Sequence, residues 1–139
     1  QKERTAAEIK SALAEVGIGL TTQRLAIASC VLSEADHPTA NEVYDLVSKK
    51  LSVVSKATVY NTLGLFVKSG LLTEVCGGAH DSVRYDGNTK PHHHLRDPAT
   101  GRLTDIPYHE IEFANLSALK KRYKASRITV IIDGEPAVG

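Results

Sequence analysis

The sequence predicts an α+β fold, in which an N-terminal winged helix-turn-helix is followed by a small α/β dimerisation domain. Two observations support this prediction. Four segments of helical periodicity come before two short strand-like segments, which is the element order of a winged helix. After Asp86 the pattern changes to short strands and one helix. We therefore expect a winged-helix domain at 1–86 and an α/β domain at 87–139.

The four N-terminal helices are predicted from apolar residues spaced three or four apart and from hydroxyl side chains that can cap a helix. They are expected at 5–16, 21–35, 39–50 and 55–70. Thr39, followed three residues later by Glu42, has the spacing of a capping box. In the fourth helix, Val59, Leu63 and Phe66 are expected to face the core.

Short segments rich in β-branched residues predict the strands. They are expected at 71–75 and 82–85 around a Gly77-Gly78 turn, and at 102–106 and 127–132 on either side of a helix at 109–123. The last strand is β-branched throughout 128–132, which makes it prone to pairing with another edge. Because a unit of about fifty residues buries little apolar area alone, we expect a homodimer.

The composition excludes several classes of protein. With 42% hydrophobic and 24% charged residues the chain is globular, and its formal net charge of +1 gives no overall basicity. Two cysteines are too few for a disulfide scaffold or a Cys-rich zinc module. No apolar run reaches the roughly 18 residues of a membrane span, and the charged N-terminus is not a signal peptide. We therefore expect a soluble, cytoplasmic protein with no membrane partner.

The local charge around the fourth helix indicates contact with nucleic acid. Residues 46–70 contain four lysines and no acidic residue, whereas 33–45 contain four acidic residues and no basic one. Such a polarised surface suits phosphates on one side, and in a winged helix the last helix before the hairpin enters the major groove. An ordinary solvated helix is the alternative. The candidate contacts to double-stranded DNA are Arg24, Ser55, Lys56, Thr58, Tyr60 and Asn61.

A cluster of histidines and aspartates indicates a metal site. Alternate residues of a strand share a face, so His92 and His94 can chelate one ion. Nitrogen and oxygen donors without a thiolate suit Fe(II), Mn(II) or Zn(II), the last in a purified sample. The alternative is that the His triplet is a solvated loop. The candidate ligands are His37, Asp86, His92, His94 and Asp105.

The other reactive side chains give no indication of catalysis. We expect His80 and His109 to be exposed, Cys30 to be in the core and Cys76 to end a strand. The chain has no Ser/His/Asp or Cys/His order, phosphate loop or dinucleotide fingerprint, so we expect no enzyme. A metalloenzyme using the His/Asp cluster is the alternative from another class, and the lysine-only stretch at 46–70 argues against it.

Five motifs, in this order, resemble the ferric uptake regulator (Fur) family over about 21–133. They are His37-Pro-Thr-Ala-Asn-Glu-Val-Tyr44, Ala57-Thr-Val-Tyr-Asn-Thr-Leu63, Gly70-Leu-Leu, Arg84-Tyr-Asp86 and His92-His-His94. The resemblance implies a dimeric, metal-dependent repressor that acts on a palindromic operator. By position, the regulatory metal of the family would take the same five ligands, and Tyr60 would contact DNA.

Within the family, Asp rather than Glu at 86 and 105 resembles the peroxide-sensing branch (PerR). In that branch Fe(II) reacts with peroxide, and the oxidant adds oxygen to a ligand histidine, which lowers metal affinity and releases DNA. The oxidised residue here would be His37 or His92. Mn(II) in the same site would hold the repressor on DNA without this reaction.

The chain also departs from the family pattern. Positions 97 and 100 lack the sulfurs of a Cys-x-x-Cys pair and no second pair follows, so no structural zinc is expected. The second, adjacent metal site that some members of the family have would use His93 and Glu112 here, and its remaining ligands are not evident in the sequence. The triplet followed by Leu103-Thr-Asp-Ile-Pro107 also resembles the Irr branch, which leaves an iron- or haem-responsive regulator as the alternative. Asn61 stands where many members have Arg, which bears on operator preference.

Overall fold

The computed structural model of the chain describes residues 4–75 and 83–136. The chain divides into two compact units, Gln1–Thr89 and Lys90–Gly139, with the junction a few residues beyond the predicted boundary at Asp86. The predicted Gly77-Gly78 turn, and with it Cys76 and His80, lies outside the described residues.

The first unit is built on four α-helices. They are α1 (Ala6–Glu15), α2 (Thr22–Ser29), α3 (Ala40–Lys50) and α4 (Lys56–Lys68). Each begins after a hydroxyl side chain that accepts a hydrogen bond from the backbone N–H three residues on; these caps are Thr5, Thr21, Thr39 and Ser55. The capping box predicted for Thr39 and Glu42 is confirmed. A hydroxyl that satisfies a free helical N–H therefore fixes where each helix starts.

The second predicted helix is interrupted. After α2 ends at Ser29 the chain makes a π-helical turn, Cys30–Glu34, in which Ala35 N donates to the Cys30 carbonyl at 2.9 Å. This wider turn ends the helix just before His37. Cys30 is fully buried, as predicted for a core residue.

A two-stranded antiparallel sheet follows the helices. Its strands are β1 (Thr73–Val75) and β2 (Arg84–Asp86), with Glu74 opposite Tyr85. The core of this unit lies among the helices, and the predicted core face of α4 is confirmed because Val59, Leu63 and Phe66 are completely buried. Helices that end in a short hairpin form the winged-helix fold that the sequence predicts.

The second unit is a small three-stranded sheet with one helix. Its elements are β3 (His92–Arg96), β4 (Leu103–Pro107), a 3₁₀ turn (Tyr108–Glu110), α5 (Leu116–Tyr123) and β5 (Ile131–Asp133). The strand order is β4-β3-β5, with β3 antiparallel to β4 and parallel to β5. The strand β3, which carries the candidate ligands His92 and His94, therefore lies in the centre of the sheet.

Two predictions for this unit are wrong in part. The helix expected over 109–123 is broken, because Phe113 packs edge-on against the His93 ring at a centroid distance of 5.9 Å and α5 begins only at Leu116. The strand expected over 127–132 is shorter: β5 begins only at Ile131, and the N–H of Val130 donates to the imidazole of His93 and not to a backbone carbonyl.

The last strand is also already paired within its own chain. One edge of β5 is bonded to β3, so that edge is paired within the chain and does not need a second copy. Among described residues 90–136, Leu103 is the one fully buried apolar side chain, and Ile131 and Ile132 are exposed. No helix in the described part of the chain is long and apolar enough to cross a bilayer.

Candidate functional site

Two histidines of β3 lie side by side on one face of the sheet. The rings of His92 and His94 are 4.6 Å apart between centroids, and their Nε2 atoms are 3.1 Å apart. His92 Nδ1 lies 2.5 Å from the Lys90 carbonyl oxygen. Because a carbonyl can only accept, Nδ1 carries the proton, and the Nε2 of a neutral His92 is left with a lone pair for a metal.

A carboxylate from the neighbouring strand completes a triangle of donor atoms. Asp105 pairs directly with His94 across the β3–β4 ladder, so their side chains share a face. Its Oδ1 lies 3.5 Å from His92 Nε2 and 3.7 Å from His94 Nε2.

The dimensions of this triangle fit a transition-metal ion. A circle through its three atoms has a radius of about 2.0 Å, which matches the ~2.0–2.2 Å bonds from nitrogen and oxygen ligands to zinc. Two histidines and one carboxylate on a single face form the donor set typical of non-haem Fe(II) sites.

The first unit holds the other two candidate ligands. His37 Nε2 lies 3.3 Å from Asp86 Oδ2, and both side chains are almost completely buried. Asp86 Oδ1 accepts a hydrogen bond from Asn88 N at 2.9 Å, which orients the carboxylate. On the other side of the imidazole ring, His37 Nδ1 lies 2.6 Å from Asp36 Oδ1.

His93 lies on the opposite face of β3. It is fully buried and stacked on Tyr108 at 4.5 Å, and its Nδ1 accepts a hydrogen bond from Val130 N at 2.9 Å. Burial lowers the pKa of His93, so the ring is neutral with its proton on Nε2. Glu112, the other residue of the suggested second metal site, is exposed in the segment before α5. Their role in metal binding stays a prediction. His109 is exposed, as predicted.

The candidate DNA contacts lie at the N-terminal end of α4. Lys56, Tyr60 and Asn61 are exposed, and Thr58 is half-buried. Ser55 is engaged in the cap, where it accepts from Thr58 N and donates to Thr58 Oγ1. The exposed end of this helix thus presents a cation, a phenol and an amide to solvent.

Two side chains of α3 support this end of α4. The Lys56 ammonium lies 5.5 Å from the centre of the Tyr44 ring, which is cation–π distance. The Tyr60 hydroxyl donates to Asn41 Oδ1 at 3.4 Å. The sequence analysis did not single out Asn41 and Tyr44. Lys56 and Tyr60 are four positions apart on α4, and their partners are three positions apart on α3, so each pair lies on one face of its helix.

Arg24 lies at a groove of about 350 Å³ formed by the start of α2 and one side of α4. Its Nη1 donates to the Gly19 carbonyl at 3.0 Å, and Gly19 precedes the Thr21 cap of the same helix. Thr58 and Thr62 line the other side of the groove. Arg24 is therefore on the same surface of the unit as the first turns of α4.

The comparison with protein families identifies the chain. A model of the ferric uptake regulator family matches residues 15–132. The chain belongs to this family. It is thus a transcriptional regulator and not an enzyme, as the sequence predicted, and repressors of the family bind DNA and metal and are dimeric.

Individual members of the ferric uptake regulator family are similar over most of the chain. A peroxide-responsive repressor, PerR, of Staphylococcus epidermidis is 35% identical over 102 residues, which is 73% of this chain and 67% of the relative. A structure of PerR from Streptococcus pyogenes, which concerns peroxide sensing and gene regulation by that protein, is 27% identical with a TM-score of 0.54. The match covers 96% of this chain and 92% of the PerR chain. The Vibrio cholerae ferric uptake regulator, with 22% identity and a TM-score of 0.74, covers 91% and 98% and supports the fold.

Proposed function

We propose that this chain is a cytoplasmic, homodimeric repressor that requires Fe(II) or Mn(II) to bind a palindromic DNA operator. It senses peroxide through metal-catalysed oxidation of a ligand histidine. The triangle formed by His92, His94 and Asp105 supports this proposal most strongly, because its size and donor types suit a divalent transition-metal ion, Fe(II) and Mn(II) included.

We propose further that the donors of the two units bind one ion. Three donors from the second unit leave coordination positions to fill, and His37 and Asp86 offer a nitrogen and an oxygen from the first. Asp86 precedes His92 by only six residues, so the length of the connecting chain limits how far apart these two side chains can be. An ion held by both sets would link the units when it binds.

The donor types also bear on which ion is used. The five candidate ligands offer imidazole nitrogens and carboxylate oxygens and no thiolate, which favours Fe(II), Mn(II) or Zn(II) over Cu(I). Fe(II), when bound, would supply the electron that activates peroxide. Three ligand histidines would lie beside it, and the resemblance to the peroxide-sensing branch points to His37 and His92 as those oxidised. Asp105 is the most exposed of the five, with 31% of its side chain accessible, which gives a small oxidant a route of approach.

The proposed homodimer is supported by the poor core of the second unit. Its sheet has a β-branched edge strand with Ile131 and Ile132 exposed. A second copy covering this edge would bury them and give the unit a core. A two-fold dimer would also present two copies of α4, which requires a palindromic operator.

Metal binding would control DNA binding by a shift of population. If the ion binds one arrangement of the two units more tightly, and that arrangement fits DNA better, metal and DNA raise each other's affinity by the same factor. Loss of a ligand by oxidation would then release DNA without any change in α4 itself.

The test of peroxide sensing is peptide mass spectrometry. The metal-free protein is loaded with Fe(II) without oxygen and exposed to low peroxide, with a Mn(II)-loaded sample as control. We expect a single added oxygen on His37 or His92, and none with Mn(II). Bound iron without oxidation would favour the iron- or haem-responsive alternative, for which a Soret band on haem titration is the criterion. No bound iron would refute the metal site.

The test of metal dependence is fluorescence anisotropy on a DNA duplex selected from random sequence by the Mn(II)-loaded protein. We expect Mn(II) to raise the affinity of the unmodified protein and His92→Ala to abolish this effect. His109→Ala is the matched control, because His109 is exposed and outside the ligand set. Unchanged Mn(II) stimulation in His92→Ala would remove His92 from the ligands.

A further inference from the structure

The backbone of His37 has a conformation that needs an explanation. Its φ angle is +47°, in the left-handed region that a side chain with a Cβ rarely adopts. The residue directly precedes Pro38, which further limits its backbone. Such a conformation persists only where surrounding contacts hold it, and it is often found at functional sites.

The contact that holds it comes from Arg84 in β2. Arg84 Nη1 donates to the His37 carbonyl oxygen at 2.9 Å, and the same nitrogen lies 3.1 Å from Glu42 Oε1. Only 11% of the Arg84 side chain is exposed, so its hydrogen bond to the His37 carbonyl is largely shielded from water. Glu42 also belongs to the capping box of α3. One guanidinium therefore connects β2, the peptide of His37 and the start of α3.

Backbone hydrogen bonds reinforce the same junction. Tyr85 N donates to the Pro38 carbonyl at 2.9 Å, and Thr39 forms an isolated antiparallel bridge with Arg84. These bonds fix β2 against the segment that follows His37. The Arg84 side chain can thus reach back to the His37 carbonyl from a backbone that is already anchored.

We propose that Arg84 is a positioning residue for His37: its guanidinium holds His37 in the left-handed conformation that presents the imidazole to a divalent metal ion. The proposal rests on the proposed function, in which His37 is a ligand. Arg84 carries a positive charge and does not bind the ion; it acts through the carbonyl of His37. Because Glu42 neutralises that charge, Arg84 can lie close to a bound cation without repelling it strongly.

The arrangement also explains how metal occupancy reaches the DNA-binding helices. The Arg84–Glu42 contact ends on the first turn of α3, and α3 carries Asn41 and Tyr44, which contact Tyr60 and Lys56 of α4. A shift of the His37 peptide would act on α3 through Arg84. A lysine at 84 has the charge but lacks the planar guanidinium, which holds the two N–H groups of Nη1 in a fixed plane towards the His37 carbonyl and Glu42.

The test is a double-mutant cycle on Mn(II) affinity, measured by isothermal titration calorimetry with the full chain. Arg84→Gln removes the guanidinium, and His37→Asn removes the imidazole but tolerates a left-handed backbone. We expect Arg84→Gln to weaken Mn(II) binding about 10–100-fold, the range for residues that orient metal ligands. In the His37→Asn background the same change should have less than a twofold effect.

Two outcomes would overturn the proposal. Arg84→Gln could bind Mn(II) like the unmodified protein, or it could weaken binding equally with and without the His37 imidazole, which would indicate a general effect on folding. Arg102→Gln is the matched control, since Arg102 is an exposed arginine beside β4, and it should leave the affinity unchanged. If Arg84→Gln does not fold, Arg84→Lys is judged in the same cycle by the same criteria.

Failure of this inference can be distinguished from failure of the proposed function. If the unmodified protein binds Mn(II) and Mn(II) promotes DNA binding, the proposed function stands whatever Arg84→Gln does. If His92→Ala removes Mn(II) binding but His37→Asn does not, His37 is not a ligand, and the role of Arg84 is refuted with it.

Discussion

Removal of the charge at Lys56 should change the salt dependence of DNA binding by a calculable amount. Lys56 is exposed at the first position of α4, and it is the only lysine of that helix near its N-terminal end. Lys56→Gln keeps a flexible polar side chain of similar helix propensity and removes the charge. A lysine that contacts a phosphate contributes to affinity chiefly by releasing counterions from DNA.

The magnitude follows from the number of copies. Each phosphate contact contributes about 0.9 to the slope of log K against log salt on B-DNA, so two Lys56 side chains in a dimer contribute about 1.8. The advantage of the unmodified protein over Lys56→Gln should therefore shrink about 12-fold between 50 and 200 mM salt. Loss of a side chain that contacts a base edge would instead lower the affinity by the same factor at 50 mM and at 200 mM salt.

The assay is fluorescence anisotropy of a selected duplex at four salt concentrations, with Mn(II) in excess. Lys68→Gln is the matched control, because Lys68 is exposed at the C-terminal end of the same helix and should keep the slope of the unmodified protein. An unchanged slope in Lys56→Gln, or an equal change in Lys68→Gln, would refute the assignment of α4's N-terminal end to the DNA interface.

Three further predictions concern other parts of the chain. Burial raises the pKa of the Cys30 thiol to about 11 from 9.0, so iodoacetamide at pH 8 should leave the Cys30 peptide unlabelled until the protein is unfolded. Because the pKa of Cys30 is higher in the folded than in the unfolded chain, its protonated form contributes stability that is complete below pH 9 and lost as the pH rises towards 11. The free energy of unfolding in urea should therefore be lower at pH 10 than at pH 8. Asp105→Asn should lower Mn(II) affinity by at least about tenfold in calorimetry with an unchanged circular dichroism spectrum, and equal affinity would exclude it as a ligand. Asn41→Ala should weaken DNA binding about twofold to fivefold, and no further loss should occur in a Tyr60→Phe background, where the hydroxyl that Asn41 holds is already absent.

The helices of the first unit could be predicted because their limits are local. A Ser or Thr directly before a segment of helical periodicity can be recognised in the sequence as a cap. Thr39 and Ser55 cap α3 and α4 at the positions that this pattern predicts. The π-helical turn after Ser29 was not predictable in this way. In this turn Ala35 N donates to the Cys30 carbonyl, five residues earlier in the chain. The spacing of apolar residues does not distinguish such a bond from the four-residue bond of an α-helix.

The candidate ligands of the second unit could also be predicted, because strand alternation is a local rule. It places His92 and His94 on one face, and their closeness follows directly. The closeness of Asp105 depends on the register of the β3–β4 hairpin, which pairs it with His94. The left-handed backbone of His37 could not be predicted, because Arg84, which holds it, is 47 residues away in the chain.

The alternation of β3 gives its middle histidine a different task from its neighbours. His93 points to the opposite face, where its Nδ1 accepts from Val130 N, while the backbone N–H of His94 donates to the Val130 carbonyl at 3.0 Å. Both hydrogen-bonding groups of the Val130 backbone are thus bonded to this strand. A slip of β3 by one residue would move both candidate ligand imidazoles to the opposite face and break these two bonds together. The contact that fixes the start of the edge strand β5 therefore also fixes the face on which His92 and His94 meet Asp105.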